Sequence, residues 1–96
     1  MSRTRTRRFD AARYLEDESA MAAYLEAALD EGDATVVAAA LGDIARAKGM
    51  TRIARATGLG RESLYKSLSA TGNPELATVL RVVAALGLEL RAVPRR

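Results

Sequence analysis

The sequence predicts an all-α domain of five helices that ends in a short β-strand. Hydrophobic residues make up 49% of the 96-residue chain but aromatic residues only 4%, so the apolar content is mainly Ala, Leu and Val. This composition favours packed helices over a sheet. Apolar residues also recur at helical spacing, and Asp, Asn and Gly stand where helices of ordinary length begin and end. A chain of this length forms one domain.

Capping residues define the predicted helices. The predicted helices span residues 18–31, 34–48, 52–57, 61–68 and 74–86. Asp17, Asp33, Thr51 and Asn73 are the predicted caps of the first, second, third and fifth helices, and Pro74 lies in the first turn of the fifth. Glycine ends four of them, at Gly32, Gly49, Gly58 and Gly87. In the first helix Tyr24 shares an apolar stripe with Met21 and Leu25, which favours a core position. The inner face of the fifth helix is predicted to hold Leu76, Val79, Leu80 and Val83. Residues 88–93 then alternate with the period of a strand.

Charge divides the chain into three parts. Residues 1–8 contain four arginines and no periodicity, which predicts a disordered basic tail. Residues 9–33 carry eight acidic side chains and one basic one, whereas residues 34–96 carry ten basic and four acidic ones. The single domain over 9–96 is therefore predicted to comprise an acidic helical segment over 9–33, a nucleic-acid-binding core over 34–87 and the strand over 88–93. Alternatively, the acids only solvate one helix face.

Composition excludes several function classes. The chain has no Cys and no His, so it has no disulfide, no thiolate metal site and no histidine base. We expect no metal and no cofactor. No apolar run reaches the roughly 18 residues of a membrane span, and the arginine-rich start is not followed by the apolar stretch of a signal peptide. The sequence therefore predicts a cytoplasmic protein that is not an enzyme.

Residues 51–68 have the pattern of a helix-turn-helix. Ala54 stands where the two short helices would cross and a larger side chain would separate them. Gly58, four residues later, accepts the positive φ of a tight turn, and Leu59 fills the gap between the helices. Three further residues are predicted to pack inward: Ile53, Leu64 and Leu68. Such a pair places its second helix in a major groove. The alternative is an ordinary pair of packed helices.

Polar residues on the outer side of this helix pair are the candidate DNA contacts. Arginine can bind guanine through two hydrogen bonds, and glutamate can accept one from cytosine. The first turn of the preceding helix can hold a phosphate. The predicted DNA-binding residues are Thr51, Arg52, Arg61, Glu62, Ser63, Tyr65 and Lys66.

Several segments resemble those of the HigA-like addiction-module antidote proteins, which belong to the Cro/repressor-type helix-turn-helix superfamily. The resemblance covers about residues 9–93 and is carried by segments 9–16, 24–29, 49–68, 72–74 and 78–88. The run from Arg61 to Lys66 and the Gly72-Asn-Pro sequence are its most specific parts. Gly60 departs from the pattern, because many relatives have Ser there as the helix cap. The resemblance implies a Cro/repressor-like fold and a type II antitoxin. Such a protein neutralises a RelE/ParE-like toxin and, as a dimer, represses its own operon at a palindromic operator.

Two interaction surfaces follow. The implied toxin is a small basic protein encoded by a neighbouring gene, and it would suit the acidic segment. Its predicted anchors there are apolar residues that precede the first helix: Phe9, Tyr14 and Leu15. The predicted homodimer would use the free edge of the C-terminal strand, with one face formed by Leu88, Leu90 and Ala92. Alternatively, this strand folds back on its own helices.

Other functions compete with the antitoxin hypothesis. The chain could be a stand-alone helix-turn-helix repressor without a toxin, or a helical interaction module that binds no DNA. A neighbouring reading frame that encodes a small basic protein would distinguish the antitoxin from the stand-alone repressor. Salt-dependent binding to duplex DNA would distinguish both of these from the helical interaction module. An enzyme is the remotest alternative, because no paired nucleophile and base, phosphate-binding loop or metal cluster is recognisable.

Overall fold

A computed structural model of the chain describes Leu15 and residues 17–95. Within these residues the protein forms five α-helices: α1 (Glu18–Glu31), α2 (Ala34–Lys48), α3 (Met50–Thr57), α4 (Arg61–Ser67) and α5 (Leu76–Ala85). Helix α2 is central because it contacts each of the other four, and α3 also contacts α4 and α5. The predicted five-helix fold is confirmed. The predicted tail over 1–8 lies outside the described residues.

Aspartate caps α1 and α2 as predicted. Asp17 Oδ1 accepts a hydrogen bond from the backbone N–H of Ala20 at 2.8 Å, and Asp33 Oδ1 accepts one from that of Thr35 at 2.9 Å. The hydrogen bonds from Thr35 hold the pKa of Asp33 below its usual range, because they stabilise the carboxylate. Gly32 between the helices adopts the left-handed conformation, with φ 70°. Local chemistry therefore sets both boundaries.

Two predicted helix starts are wrong. Helix α3 begins at Met50 directly after Gly49, so Thr51 lies inside its first turn and does not cap it. Gly49 has φ 111°, which permits a sharp turn from α2 without a linker. Helix α5 begins at Leu76 and not at Pro74. Glu75 is the N-cap residue and has an extended backbone, with φ −68° and ψ 154°, so Pro74 lies before the helix.

The core is apolar and draws on every helix. Among the described residues, no polar or charged side chain is buried. The largest fully buried side chains are Leu41, Ile44, Ile53, Leu64, Val82 and Leu86. They come from α2, α3, α4 and the end of α5, while Met21 and Leu25 extend the same cluster to α1. Burial of these side chains is the main force that holds the helices together.

Two polar contacts connect α1 to α2. The half-buried Tyr24 donates a hydrogen bond from its hydroxyl to Asp43 Oδ2 at 2.6 Å. Burial raises the pKa of Tyr24 to about 12, and the hydrogen bond to the Asp43 carboxylate acts in the same direction. At the first residue of α1, Lys48 Nζ donates to Glu18 Oε2 at 2.9 Å. This hydrogen bond holds the pKa of Glu18 below its usual range.

The turn after α5 directs the chain away from the helix axis. The N–H of Gly87 donates to the carbonyl of Ala84 at 3.0 Å, and the N–H of Leu88 donates to that of Val83 at 3.1 Å. With Gly87 at φ 81°, these bonds form a Schellman motif, in which Leu88 packs back on the core.

The predicted strand over 88–93 is wrong. No strand occurs among the described residues, and 88–95 have no assigned secondary structure. Alternating side chains are not sufficient for a strand, because a strand also needs a neighbour to accept and donate its ladder of hydrogen bonds.

Candidate functional site

The turn between α3 and α4 is built as the sequence predicts. Gly58 adopts the left-handed conformation with φ 75°, and its N–H donates to the carbonyl of Ala54 at 2.9 Å. The hydroxyl of Thr57 donates to the carbonyl of Ile53 at 2.8 Å and accepts a hydrogen bond from the N–H of Leu59 at 3.3 Å. The turn thus has several local restraints, which fix α4 relative to α3.

Two glycines allow the backbone to approach the end of α4 closely. A Cβ atom at Gly42, in the middle of α2, would collide with the carbonyl oxygen of Leu68. A Cβ atom at Gly72 would collide with the carbonyl oxygen of Ser67. Sequence reasoning missed Gly42, although a lone glycine inside a helical pattern signals close packing. Together the two positions seat the C-terminal end of α4 against α2 and the following loop.

All seven predicted DNA-binding residues are exposed. Thr51 and Arg52 lie in the first turn of α3, and the other five lie on α4, whose Leu64 is buried in the core. The guanidinium of Arg61 lies over the ring of Tyr65 one turn later, with Arg61 Cζ 5.7 Å from the ring centroid. Helix α4 therefore presents a polar outer face and a buried inner face.

A second surface lies between α1 and the residues that follow α5. A groove of about 650 Å³ separates α1 from residues 87–93, which we call the C-terminal segment. Three of its lining residues are largely apolar and exposed: Leu29 (44%), Leu90 (38%) and Val93 (80%). The charged residues that line it are Glu18, Glu26, Asp30, Glu89 and Arg91. The groove is therefore apolar within and acidic overall.

The structure changes the set of candidate toxin anchors. Phe9 and Tyr14 lie outside the described residues. The expectation that Leu15 is exposed is wrong, since it is 6% exposed and belongs to the same core cluster as Met21. The core thus extends beyond the start of α1 to a leucine that precedes this helix. Leu29, Leu90 and Val93 are exposed apolar residues that line the same groove as the acids of α1.

The candidate dimer residues also differ from expectation. Leu88 is half-buried against the core, whereas Leu90 and Ala92 are exposed, so the three do not form one free face. The predicted burial of Leu76 and Leu80 on α5 is wrong, with exposures of 69% and 50%. The buried face of α5 is instead formed by Val82, Val83 and Leu86. At 100° per residue Leu80 lies at the edge of that face, whereas Leu76 is nearly in line with Val83 and is exposed because no other described element covers the first turn of the helix. Sequence reasoning missed this exposed stripe, which also includes Ala77 and Ala84.

Comparison with known proteins agrees with the motif. The family described as "Probable addiction module antidote protein" matches residues 5–94. The chain belongs to this family. A protein of Haemophilus influenzae, itself of uncharacterised function, is 47% identical over 88 residues, which cover 92% of this chain and 91% of that protein. No solved structure matches. The antidote family membership expected from the sequence is confirmed.

Family membership defines the general role of this antidote. An addiction-module antidote has a toxin of some kind as its partner, so membership of the family indicates a regulatory protein. None of the five helices has the length and apolar character needed to cross a bilayer. In the part of the chain that the structure describes, no group of three or more acidic side chains is arranged to hold a metal ion.

Proposed function

We propose that this antidote is a type II antitoxin that neutralises a RelE/ParE-like toxin by direct binding and represses its own operon through sequence-specific DNA binding. The DNA-binding part of this proposal rests on the way in which the fold holds α4. Its inner face is buried through Leu64 and its C-terminal end is held by close backbone contacts at Gly42 and Gly72, while five polar side chains project outward. Sequence readout needs such rigid presentation, because base contacts depend on accurate placement of a few side chains.

In this proposal the residues of α4 have different roles. Arg61, in the first turn, is suited to bind guanine, and Lys66, near the end, is suited to bind phosphate. Thr51 and Arg52 at the start of α3 would contact the backbone of the DNA. A stand-alone repressor would use the same face, but membership of the antidote family favours the antitoxin.

We propose the stripe of Leu76 and Leu80 on α5, in place of the C-terminal strand, as the contact between two copies of the chain. One helix-turn-helix reads a short half-site, so a palindrome needs a second copy related by two-fold symmetry. In an antiparallel pair of α5 helices whose two-fold axis crosses at the level of residue 78, midway between the two leucines, Leu76 of each copy lies opposite Leu80 of the other. A two-fold contact needs an exposed and self-complementary patch, and this stripe is the most exposed apolar helix face among the described residues.

Operator binding tests the proposal. A mobility-shift assay on the DNA upstream of the gene should give a specific complex with the wild-type chain and loss of it with an Arg61→Ala, Lys66→Ala double variant. The matched control is Arg91→Ala, Arg95→Ala, which removes the same charge from the exposed C-terminal residues. Unchanged affinity in a folded α4 double variant would refute the assignment. For the toxin, growth rescue on co-expression with the product of the adjacent reading frame is expected.

A further inference from the structure

The groove between α1 and the C-terminal segment is formed by the fold itself. The Schellman motif at Gly87 turns the chain out of α5, and Leu88 anchors it on the core. The segment then runs beside α1, so residues 87–91 and Val93 form one wall while Ala22, Glu26 and Leu29 form the other. The buried Leu25 lies at the floor. This arrangement joins two parts of the sequence that are more than fifty residues apart.

The groove concentrates exposed apolar surface. Six large hydrophobic side chains are exposed among the described residues, and three of them, Leu29, Leu90 and Val93, line this one groove. Exposed apolar groups gathered in a concave surface with a polar rim are typical of a protein contact. The groove therefore has the anchoring chemistry that binding needs.

Charge on the rim defines the occupant. Glu18 is already paired with Lys48, and Glu89 has only a 4.0 Å contact with Arg91, in which both side chains are at least three-quarters exposed. Glu26 and Asp30 make no ion pair with any residue that the structure describes. Their uncompensated carboxylates favour a cationic partner and oppose DNA. A partner segment that carries Lys or Arg beside long apolar side chains complements both the acidic rim and the apolar interior of the groove.

A second groove, between α1 and α2, is less suitable. It measures about 360 Å³ and is lined mainly by alanines. One of its two carboxylates, Asp43, already accepts hydrogen bonds from Tyr24 and Arg46. It therefore offers neither large apolar anchors nor a pair of uncompensated charges.

We infer that the groove between α1 and the C-terminal segment is the surface that binds the toxin, and that it takes a basic segment of the toxin with long apolar side chains. This inference rests on the proposed antitoxin function and specifies its site. Leu29, Leu90 and Val93 are the anchors, while Glu26 and Asp30 attract the cationic groups. The C-terminal segment thus contributes to toxin binding and not to a dimer strand.

Binding of the purified product of the adjacent reading frame tests the site. Leu29→Ser with Leu90→Ser should weaken this binding by about tenfold or more, because loss of an interface anchor commonly has at least this effect. Glu26→Lys with Asp30→Lys should slow association and change its salt dependence. The matched control for the charge reversal is Glu31→Lys with Glu75→Lys, at two exposed sites outside the groove. All variants should keep the wild-type melting temperature and operator shift.

Thiol footprinting provides a second readout, because the chain contains no cysteine. A Val93→Cys variant should react with a thiol reagent when free and be protected by the adjacent gene product, whereas Thr71→Cys, in an exposed loop, should react equally in both states.

The outcomes distinguish the site from the function. The inference is overturned, while the proposed function stands, if the wild-type chain binds the product but the groove variants bind it as well as their control does. The same conclusion follows if Val93→Cys stays reactive when the product is bound. If the wild-type chain does not bind the product, both are overturned. Protection of Val93→Cys in the free chain that disappears on deletion of residues 1–8 would identify the chain's own basic tail as the occupant and overturn the inference.

Discussion

The guanidinium of Arg61 lies over the ring of Tyr65, one turn along the same helix, at a distance of 5.7 Å from Cζ to the ring centroid. Both residues are exposed, so this contact is made at the surface that is proposed to meet DNA. The guanidinium remains able to donate hydrogen bonds while the ring restricts its motion. Such a restraint lowers the entropy that the long side chain loses on binding, since an immobilised side chain otherwise costs about 0.5–1.5 kcal/mol.

Replacing the ring should therefore weaken operator binding even if Tyr65 touches no base. We expect Tyr65→Ala to lower operator affinity by about 0.5–1.5 kcal/mol, because the freed guanidinium of Arg61 must then be ordered on binding. Tyr65→Phe keeps the ring and should bind nearly as the wild type does. Titration of the operator with both variants measures the effect. Equal losses in the two variants would mean that the hydroxyl contacts DNA and that stacking is unimportant.

Gly42→Ala should displace the end of α4. The added methyl group would meet the carbonyl oxygen of Leu68, which is backbone and cannot rotate away. Overpacking of this kind commonly costs about 1–3 kcal/mol, so we expect a lower free energy of unfolding in chemical denaturation and weaker operator binding. Gly60→Ser is the control, because its Cβ atom meets only the side chain of Ser63 at 3.6 Å, its φ is negative and serine is a favourable residue at the N-cap of α4. A Gly42→Ala variant as stable as Gly60→Ser would contradict the seating of α4.

The Tyr24–Asp43 hydrogen bond should make stability fall at high pH. Since the pKa of folded Tyr24 is raised to about 12 from an ordinary 10, the folded state holds the proton more tightly than the unfolded one. The resulting stabilisation is complete below pH 10 and is lost as the pH rises to about 12. Tyr24→Phe should be about 0.5–1.5 kcal/mol less stable at neutral pH, and the difference from the wild type should shrink over that range. Denaturant titrations of both proteins at a series of pH values measure this difference. A constant difference would refute the role of this proton.

Charge placed on the α5 stripe should separate the two copies of the chain. Leu76→Glu with Leu80→Glu introduces like charges into the proposed two-fold contact, while both positions are exposed enough in the single chain to leave its fold intact. We expect a monomer by size-exclusion chromatography with light scattering, and a large loss of operator affinity. Leu90→Glu, on the C-terminal segment, should remain a dimer. If Leu90→Glu is a monomer and the Leu76→Glu, Leu80→Glu variant is a dimer, the dimer contact lies on the C-terminal segment and not on α5.

Local chemistry explains which parts of the fold could be predicted from the sequence. The caps at Asp17 and Asp33 and the turn at Gly58 depend on residues within a few positions of one another, and all three were predicted. The exposed face of α4 could also be predicted, because it follows from the burial of Leu64 and helical periodicity.

Features that depend on distant residues could not be predicted. Leu15 is buried because it packs with the core cluster of the folded helices, and Leu76 is exposed because no other described element covers it. The importance of Gly42 depends on the position of Leu68, twenty-six residues later. The apparent strand over 88–93 had the right alternation, but the single chain supplies no neighbouring strand. The acidic groove arises only when the C-terminal segment is placed beside α1.

The attachment of α1 has a consequence for how long the protein survives. Of the helices, α1 packs extensively only on α2, and two polar contacts, at Tyr24 and Lys48, help to hold it there. A peripheral element of this kind is the first to open in local unfolding, and its opening exposes backbone to proteases. A toxin that fills the groove would hold α1 and the C-terminal segment together, so binding would suppress this opening in proportion to its affinity. The lifetime of the antidote would then depend on whether its toxin is bound. The hydrogen-exchange rates of the α1 backbone amides, measured with and without the toxin, would report how often α1 opens.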